Sequence, residues 1–123
     1  MTEERALQRI FACAAAAVEK RAERPVVLDV RGLSGVADYY LIVSGSSDRR
    51  VQTIAEAVIE TMREEGVRPL GVEGLREGRW VLVDFGEWVA HVFYEEMRDF
   101  YDLEGLWFDA PRVELPAGLE AAR

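Results

Sequence analysis

The chain of 123 residues contains one histidine, His91, and one cysteine, Cys13, which leaves little material for metal or nucleophile chemistry. A structural zinc takes four nitrogen or sulfur ligands in closely spaced pairs. One Cys and one His on different predicted elements supply neither the number nor the spacing. A Cys–His nucleophile pair is equally unsupported, because Cys13 sits in the alanine-rich run Ala12–Val18, where a small buried filler is the better reading. No Walker loop and no dinucleotide fingerprint occurs. What remains is Ser44-Gly45-Ser46-Ser47, between a predicted strand and a predicted helix. Free N–H groups at a helix start can hold a phosphate, and small residues let it come close. The plainer reading is an ordinary capped helix start.

The same arrangement resembles the Gly-Ser loop of nucleotidyltransferases. Those enzymes hold Mg²⁺ between paired carboxylates on a neighbouring strand. Here the following strand offers only Glu73, no Asp-x-Asp motif occurs, and Asp84 would be a lone survivor. No catalytic residue, metal or cofactor is therefore expected. The enzyme-like alternative is a degenerate nucleotidyltransferase-like protein that binds a nucleotide through Ser46 and Asp84.

Periodicity predicts the elements that position these residues. Leu7, Ile10, Phe11, Ala14 and Val18 recur at helical spacing and predict a helix over Glu3–Glu23, capped by Thr2 and ended by Pro25. Val26–Val30 reads as a short β-branched strand. Tyr39–Val43 is nearly apolar throughout, which suits a central strand covered on both faces. Ser47 or Asp48 caps the next helix, from about Arg49 to Glu65, whose stripe of Val51, Ile54, Ala55, Val58, Ile59 and Met62 is unbroken. Gly66 is its expected stop. Pro69–Glu73 is a weak edge strand, and Trp80–Phe85 and Val89–Tyr94 are strong ones. Short helices follow over Glu95–Tyr101 and Leu103–Trp107. The domain is expected to occupy 1–108, with 109–123 a mobile tail. The order αββαβββα favours a mixed β-sheet packed with helices, an α+β (or α/β) sandwich.

With Gly86 and Glu87 as the hairpin turn, Phe85 opposes Trp88, Asp84 opposes Val89, Leu82 opposes His91 and Trp80 opposes Phe93. Val81, Val83, Ala90 and Val92 then share an aliphatic face that belongs under the helices. The other face mixes an indole, a phenyl ring, an imidazole and a carboxylate. Either the C-terminal segment covers it, with His91 and Asp84 satisfying each other, or it is an exposed docking surface rich in aromatic anchors.

Charge bears on the partner. From Asp84 to Asp109 there are eight carboxylates against one base, Arg98, so this stretch carries −7 of the net charge of −8. Such a field suits a basic protein and removes the sequence-independent attraction to a nucleic-acid backbone, so strong direct nucleic-acid binding is not expected. Half the residues are apolar and 31% charged, the balance of a soluble globular domain. The longest apolar run is far shorter than the roughly 20 residues that a bilayer requires, and the acidic N-terminus does not read as a signal peptide. A lone cysteine fits a reducing, cytoplasmic setting.

Taken together, several stretches resemble the ribosomal silencing factor family (RsfS, Iojap-related). They are Asp38–Ser47, Pro69–Gly74, Trp80–Gly86, His91-Val92-Phe93 and Leu103-Glu104-Gly105-Leu106-Trp107, spread over roughly Leu7 to Trp107. The resemblance implies a non-enzymatic translation repressor with a nucleotidyltransferase-like fold that lacks the catalytic carboxylates. It implies binding to the large ribosomal subunit through ribosomal protein uL-fourteen, at the face that meets the small subunit, so that joining is blocked. It permits a homodimer. By residue match, Trp80, Asp84, His91, Phe93, Tyr101, Leu103 and Trp107 belong in or near the docking surface, and Leu82 joins them by the hairpin geometry. Arg50, Glu87 and Gly105 depart from the residues common in the family, which are His, Asp and a basic residue. The last change puts in doubt any contact that relies on a cation beside Trp107.

Overall fold

The computed structural model describes residues 2–119. Along the chain run α1 (Thr2–Glu19), β1 (Glu23–Asp29), β2 (Tyr39–Gly45), α2 (Asp48–Glu64) and β3 (Gly71–Glu73). They are followed by β4 (Trp80–Asp84), β5 (Trp88–Tyr94), α3 (Glu95–Tyr101) and α4 (Leu103–Leu106). The strands form one sheet in the order β1-β2-β5-β4-β3, with β2 and β5 parallel and the other neighbours antiparallel. This is the mixed α+β architecture expected from the element order. A parallel pair needs a long crossover, and α2 with the β3–β4 hairpin supplies it between β2 and β5. Those two strands lie inside the sheet and are buried almost throughout, which is why both read as continuous apolar runs.

Helices α1 and α2 cover one face. On α2 the predicted stripe is the buried one, with Val51, Ile54, Ala55, Val58 and Met62 turned inward. Ser47 caps it by accepting the Arg50 N–H at 3.0 Å. At the other end the N–H groups of Gly66 and Val67 return to the carbonyls of Arg63 and Met62, a Schellman stop that Gly66 permits at φ +79°. On α1 the buried stripe differs from the predicted one. It is Ala6, Ile10, Cys13, Ala14 and Ala17, with Leu7, Phe11 and Val18 only half-buried. Small residues let this helix sit close to its neighbours, and the larger ones flank the contact. The helix also stops at Glu19 rather than at Glu23 ahead of Pro25. Arg21 turns the chain at φ 69°, and Pro25 falls inside β1, where the register with β2 shifts between Glu23 and Val26. A strand irregularity is where a residue without an N–H does least harm.

Residues Leu28, Val30, Ile42, Phe93 and Ala110 form a second, smaller core on the opposite face, flanked by Met97, Leu103 and Trp107 of the C-terminal segment. The expected free tail is not free over 110–115. The Asp29 N–H donates to the Pro111 carbonyl and the Val113 N–H to the Val27 carbonyl, each at 2.8 Å. Val113 and Leu115 pack on the main core. The segment satisfies the open edge of β1, which an isolated edge strand would leave unpaired. The end of the expected tail, residues 120–123, lies outside the described residues. Among the described residues no helix is long and apolar enough to cross a membrane.

Candidate docking face

The β4–β5 hairpin has the predicted register, with Trp80 opposite Phe93, Leu82 opposite His91 and Asp84 opposite Val89. Period-two alternation therefore sends Val81, Val83, Ala90 and Val92 into the main core and Trp80, Leu82, Asp84, His91 and Phe93 to the other face. Trp80 organises that second set. Its indole stacks on Phe93 with centroids 4.9 Å apart, leans on Tyr101 of α3 at 4.8 Å, and donates its Nε1–H to His91 Nδ1 at 3.1 Å. His91 is 5% exposed and meets Tyr40 edge-on at 5.0 Å. Burial pushes its pKa down to about 4, so the ring is neutral near pH 7. Because Nδ1 accepts the indole proton, the ring's own proton sits on Nε2, which finds no hydrogen-bond partner among the described residues.

Asp84 does not pair with His91. Its Oδ1 accepts the Gly86 N–H at 2.8 Å, an Asx-type contact that shapes the hairpin turn. Asp84, Leu82 and Trp80 stay half-buried, and Tyr101 is 50% exposed. Leu103 and Trp107 are half-buried and close over the second core, Trp107 meeting Tyr40 at 5.7 Å. Of the eight residues expected at a docking surface, Trp80, Leu82 and Asp84 share one face of β4, and Tyr101 packs against Trp80. His91 and Phe93, at 5% and 0% exposure, lie beneath them, and Leu103 and Trp107 hold the covering corner. The reading of an open sheet face is corrected for His91 and Phe93. The reading of a covered face holds for His91 and Phe93, over which Met97, Leu103 and Trp107 of the C-terminal segment pack, but its proposed His91–Asp84 pair does not form.

The Ser44–Ser47 loop caps α2 as the plainer reading held. Ser46, Ser47, Asp48, Arg79 and Tyr94 line an open cavity of about 300 Å³ beside it. Among the described residues no group of three His, Cys, Asp or Glu side chains could hold a metal ion.

Residues 3–123 match the family "RsfS: Ribosomal silencing factor during starvation". The chain belongs to this family. It is 48% identical over 106 residues to the ribosomal silencing factor RsfS of Bacillus subtilis, covering 86% of this chain and 90% of that one. An X-ray structure of a Chromobacterium violaceum protein superposes with a TM-score of 0.80 at 29% identity, covering 94% of this chain and 96% of that one. A more distant relative is the mouse "Mitochondrial assembly of ribosomal large subunit protein 1", 33% identical over 73 residues, 57% of this chain and 32% of its own. Members of this family are non-catalytic regulators of translation.

Three features of this family member escaped the sequence reading. Phe100 is 75% exposed beside Tyr101, with ring centroids 5.2 Å apart, and Leu106 and Phe108 are also exposed. The run Asp99-Phe100-Tyr101-Asp102, aromatics between acids on a short helix, was the available signal. Arg98, the single base of the acidic stretch, is buried and ion-paired with Glu104. Its signal was Ser44, a polar residue ending an otherwise apolar strand. Third, Gly105 has a local reason. The Asp102 carboxylate occupies the space a Cβ there would need, and its Oδ1 accepts the Gly105 N–H at 3.1 Å, which caps α4.

Proposed function

We propose that this chain silences ribosomes by binding the large subunit through a basic protein at its intersubunit face, ribosomal protein uL-fourteen, where its bulk prevents the small subunit from joining. The observation that carries the reading is the composite face of Trp80, Leu82, Asp84 and Tyr101, set beside the stretch that holds −7 of the net charge. Aromatic anchors supply affinity when desolvated, and an acidic rim speeds encounter with a basic partner. His91 and Phe93 support that face from below, and Leu103 and Trp107 build the corner beside it. A steric block needs no reacting group. The mouse relative is named for assembly of the ribosomal large subunit, which agrees with the choice of partner. The lone buried Cys13 fits a cytoplasmic setting. A homodimer that used the same face would compete with the ribosome. The nucleotidyltransferase likeness of the fold rests on the family resemblance and on the Ser-Gly loop, and a nucleotide would occupy the cavity at Ser46.

Co-sedimentation with purified large subunits, small subunits and joined ribosomes tests the reading. Selective association with large subunits, and fewer joined ribosomes as protein is added, is the expected result; no association at moderate salt overturns it. Tyr101→Ala is the sharper variant, because this half-exposed ring meets Trp80 and Phe100 among the aromatics of the described residues. It should weaken binding by on the order of 2 kcal/mol as an interface anchor, with little change in thermal midpoint. Trp80→Ala should lose a similar amount. It also removes a stacked, hydrogen-bonded ring, so circular dichroism must show that the variant is folded.

A further inference from the structure

The ion pair between α3 and α4 cannot act by touching a partner, since Arg98 is 1% exposed. Its guanidinium donates Nε and Nη2 to the two carboxylate oxygens of Glu104, at 3.0 and 2.9 Å. Nη1 donates to Ser44 Oγ at 2.9 Å and, at 3.5 Å, to the Glu23 carbonyl. One side chain therefore ties α3 and α4 to β2 and β1. The hydrogen bonds from Arg98 hold the Glu104 carboxyl below its ordinary pKa, so the pair is charged. Replacing a buried ion pair by apolar groups of similar volume is often neutral or stabilising, so stability is a weak reason for this arrangement. What a bidentate fork adds over apolar contact is a single defined geometry.

Geometry is what the docking face requires, because the face is composite. Trp80, Leu82 and Asp84 ride on β4, whereas Tyr101 ends α3, and the two parts meet at the Trp80–Tyr101 contact. The corner that follows is weakly built in itself. Helix α4 has four residues, none of them buried, and Asp102 between the helices is left-handed at φ 48°. So short a helix does not hold its place by its own propensity.

We propose that Arg98 is the positioning residue of the docking face. Its fork sets where the α3–α4 corner lies against the sheet, and so holds Tyr101 against Trp80. This rests on the docking reading above. The test is the paired variant Arg98→Met with Glu104→Met, made together with Ser44→Ala so that no buried hydroxyl loses its donor, which replaces the ion pair by apolar volume. The expected result is a thermal midpoint close to that of the unaltered chain, with the amides of Gly105, Leu106 and Trp107 exchanging hydrogen about tenfold faster and affinity for purified large subunits falling about tenfold. A merely structural role predicts full binding once stability is restored. Unaltered exchange and unaltered affinity in the paired variant therefore overturn the proposal. Should that variant not fold, Arg98→Lys keeps the charge but not the fork. It should show the same two changes at about threefold, and a lysine variant with neither overturns the proposal equally. Hydrogen exchange needs no ribosome. A chain that fails to bind subunits at all refutes the docking reading and leaves exchange to decide the positioning role.

Discussion

Acidification from about pH 7 to about pH 5 should destabilise this fold through His91, and the size of the loss can be worked out. Burial depresses the folded pKa from 6.5 to about 4. Between those values the unfolded chain binds a proton that the folded chain excludes. The His91 contribution is therefore intact above the unfolded value and is lost as pH falls toward the folded one. Linkage over that interval gives a loss of about 2 kcal/mol, or roughly 7 °C in thermal midpoint for a chain of this size. The atoms say why the shift is downward. A second proton would have to sit on Nδ1, the atom that accepts the Trp80 N–H, within a shell of Tyr40, Trp80 and Phe93. The other carboxylates that the fold shifts lie outside the window or carry the opposite sign. Asp29 and Glu104 are held low by Arg31 and Arg98, so what they contribute is lost only below the ordinary carboxylate range. Glu23 is raised, first by desolvation and then by Glu95, and acidification favours its folded form. Urea unfolding at several pH values isolates His91 when the chain is compared with His91→Gln, whose side-chain oxygen can still accept the indole proton. The unaltered chain should lose the extra stability as pH falls and the variant should not. Parallel losses in both would refute the assignment.

Two glycines with nearly the same backbone should respond differently to alanine. Gly66 and Gly74 sit at φ +79° and +81°, but a Cβ at Gly66 meets open space, whereas one at Gly74 runs into the Trp80 carbonyl. Gly66→Ala should cost about 1–2 kcal/mol of left-handed strain, and Gly74→Ala roughly 3 kcal/mol once the overpacking is added, read by chemical denaturation; equal costs would refute the steric account. Cys13, packed under α2 with burial raising its thiol to about 12, should be almost inert to iodoacetamide in the folded chain, with a thiolate fraction at pH 8 of about 10⁻⁴. Alkylation at the rate of an exposed thiol would show that the α1–α2 seam opens.

The sheet was legible because its residues obey local rules. The α2 stripe, its serine cap and its glycine stop are each set by neighbours in sequence, and so is the register of a two-residue hairpin. The errors arose where tertiary packing chose among local options. In α1 the pattern of apolar residues pointed to Leu7, Phe11 and Val18, but close approach selected the alanine side, with Ala6, Cys13 and Ala17. Pro25 reads locally as a helix stop, yet the chain had already turned at Arg21 and used the proline in an irregular strand. The segment from Asp109 lacks periodicity, since what orders it is the free edge of β1, far away in sequence.

The proposed docking face shows the same division more sharply. Alternation along β4 and β5 places Trp80, Leu82 and Asp84 on one side without reference to anything else in the chain. What alternation cannot say is how much of that side stays open, because this depends on where α3 and α4 come to rest. Arg98 ties that corner to partners on β1, β2 and α4. By composition alone the acidic stretch is a field with one stray base in it. In the fold that base joins Glu104 in the lock that seats the corner, while Asp99 at the surface is held by Arg24. Asp84, Asp102 and Glu104 organise the chain around them, whereas Glu87, Glu96, Asp99 and Asp109 stay exposed. Removing an exposed one should alter mainly the rate and salt dependence of docking, whereas removing Glu104 should alter the shape of the face itself.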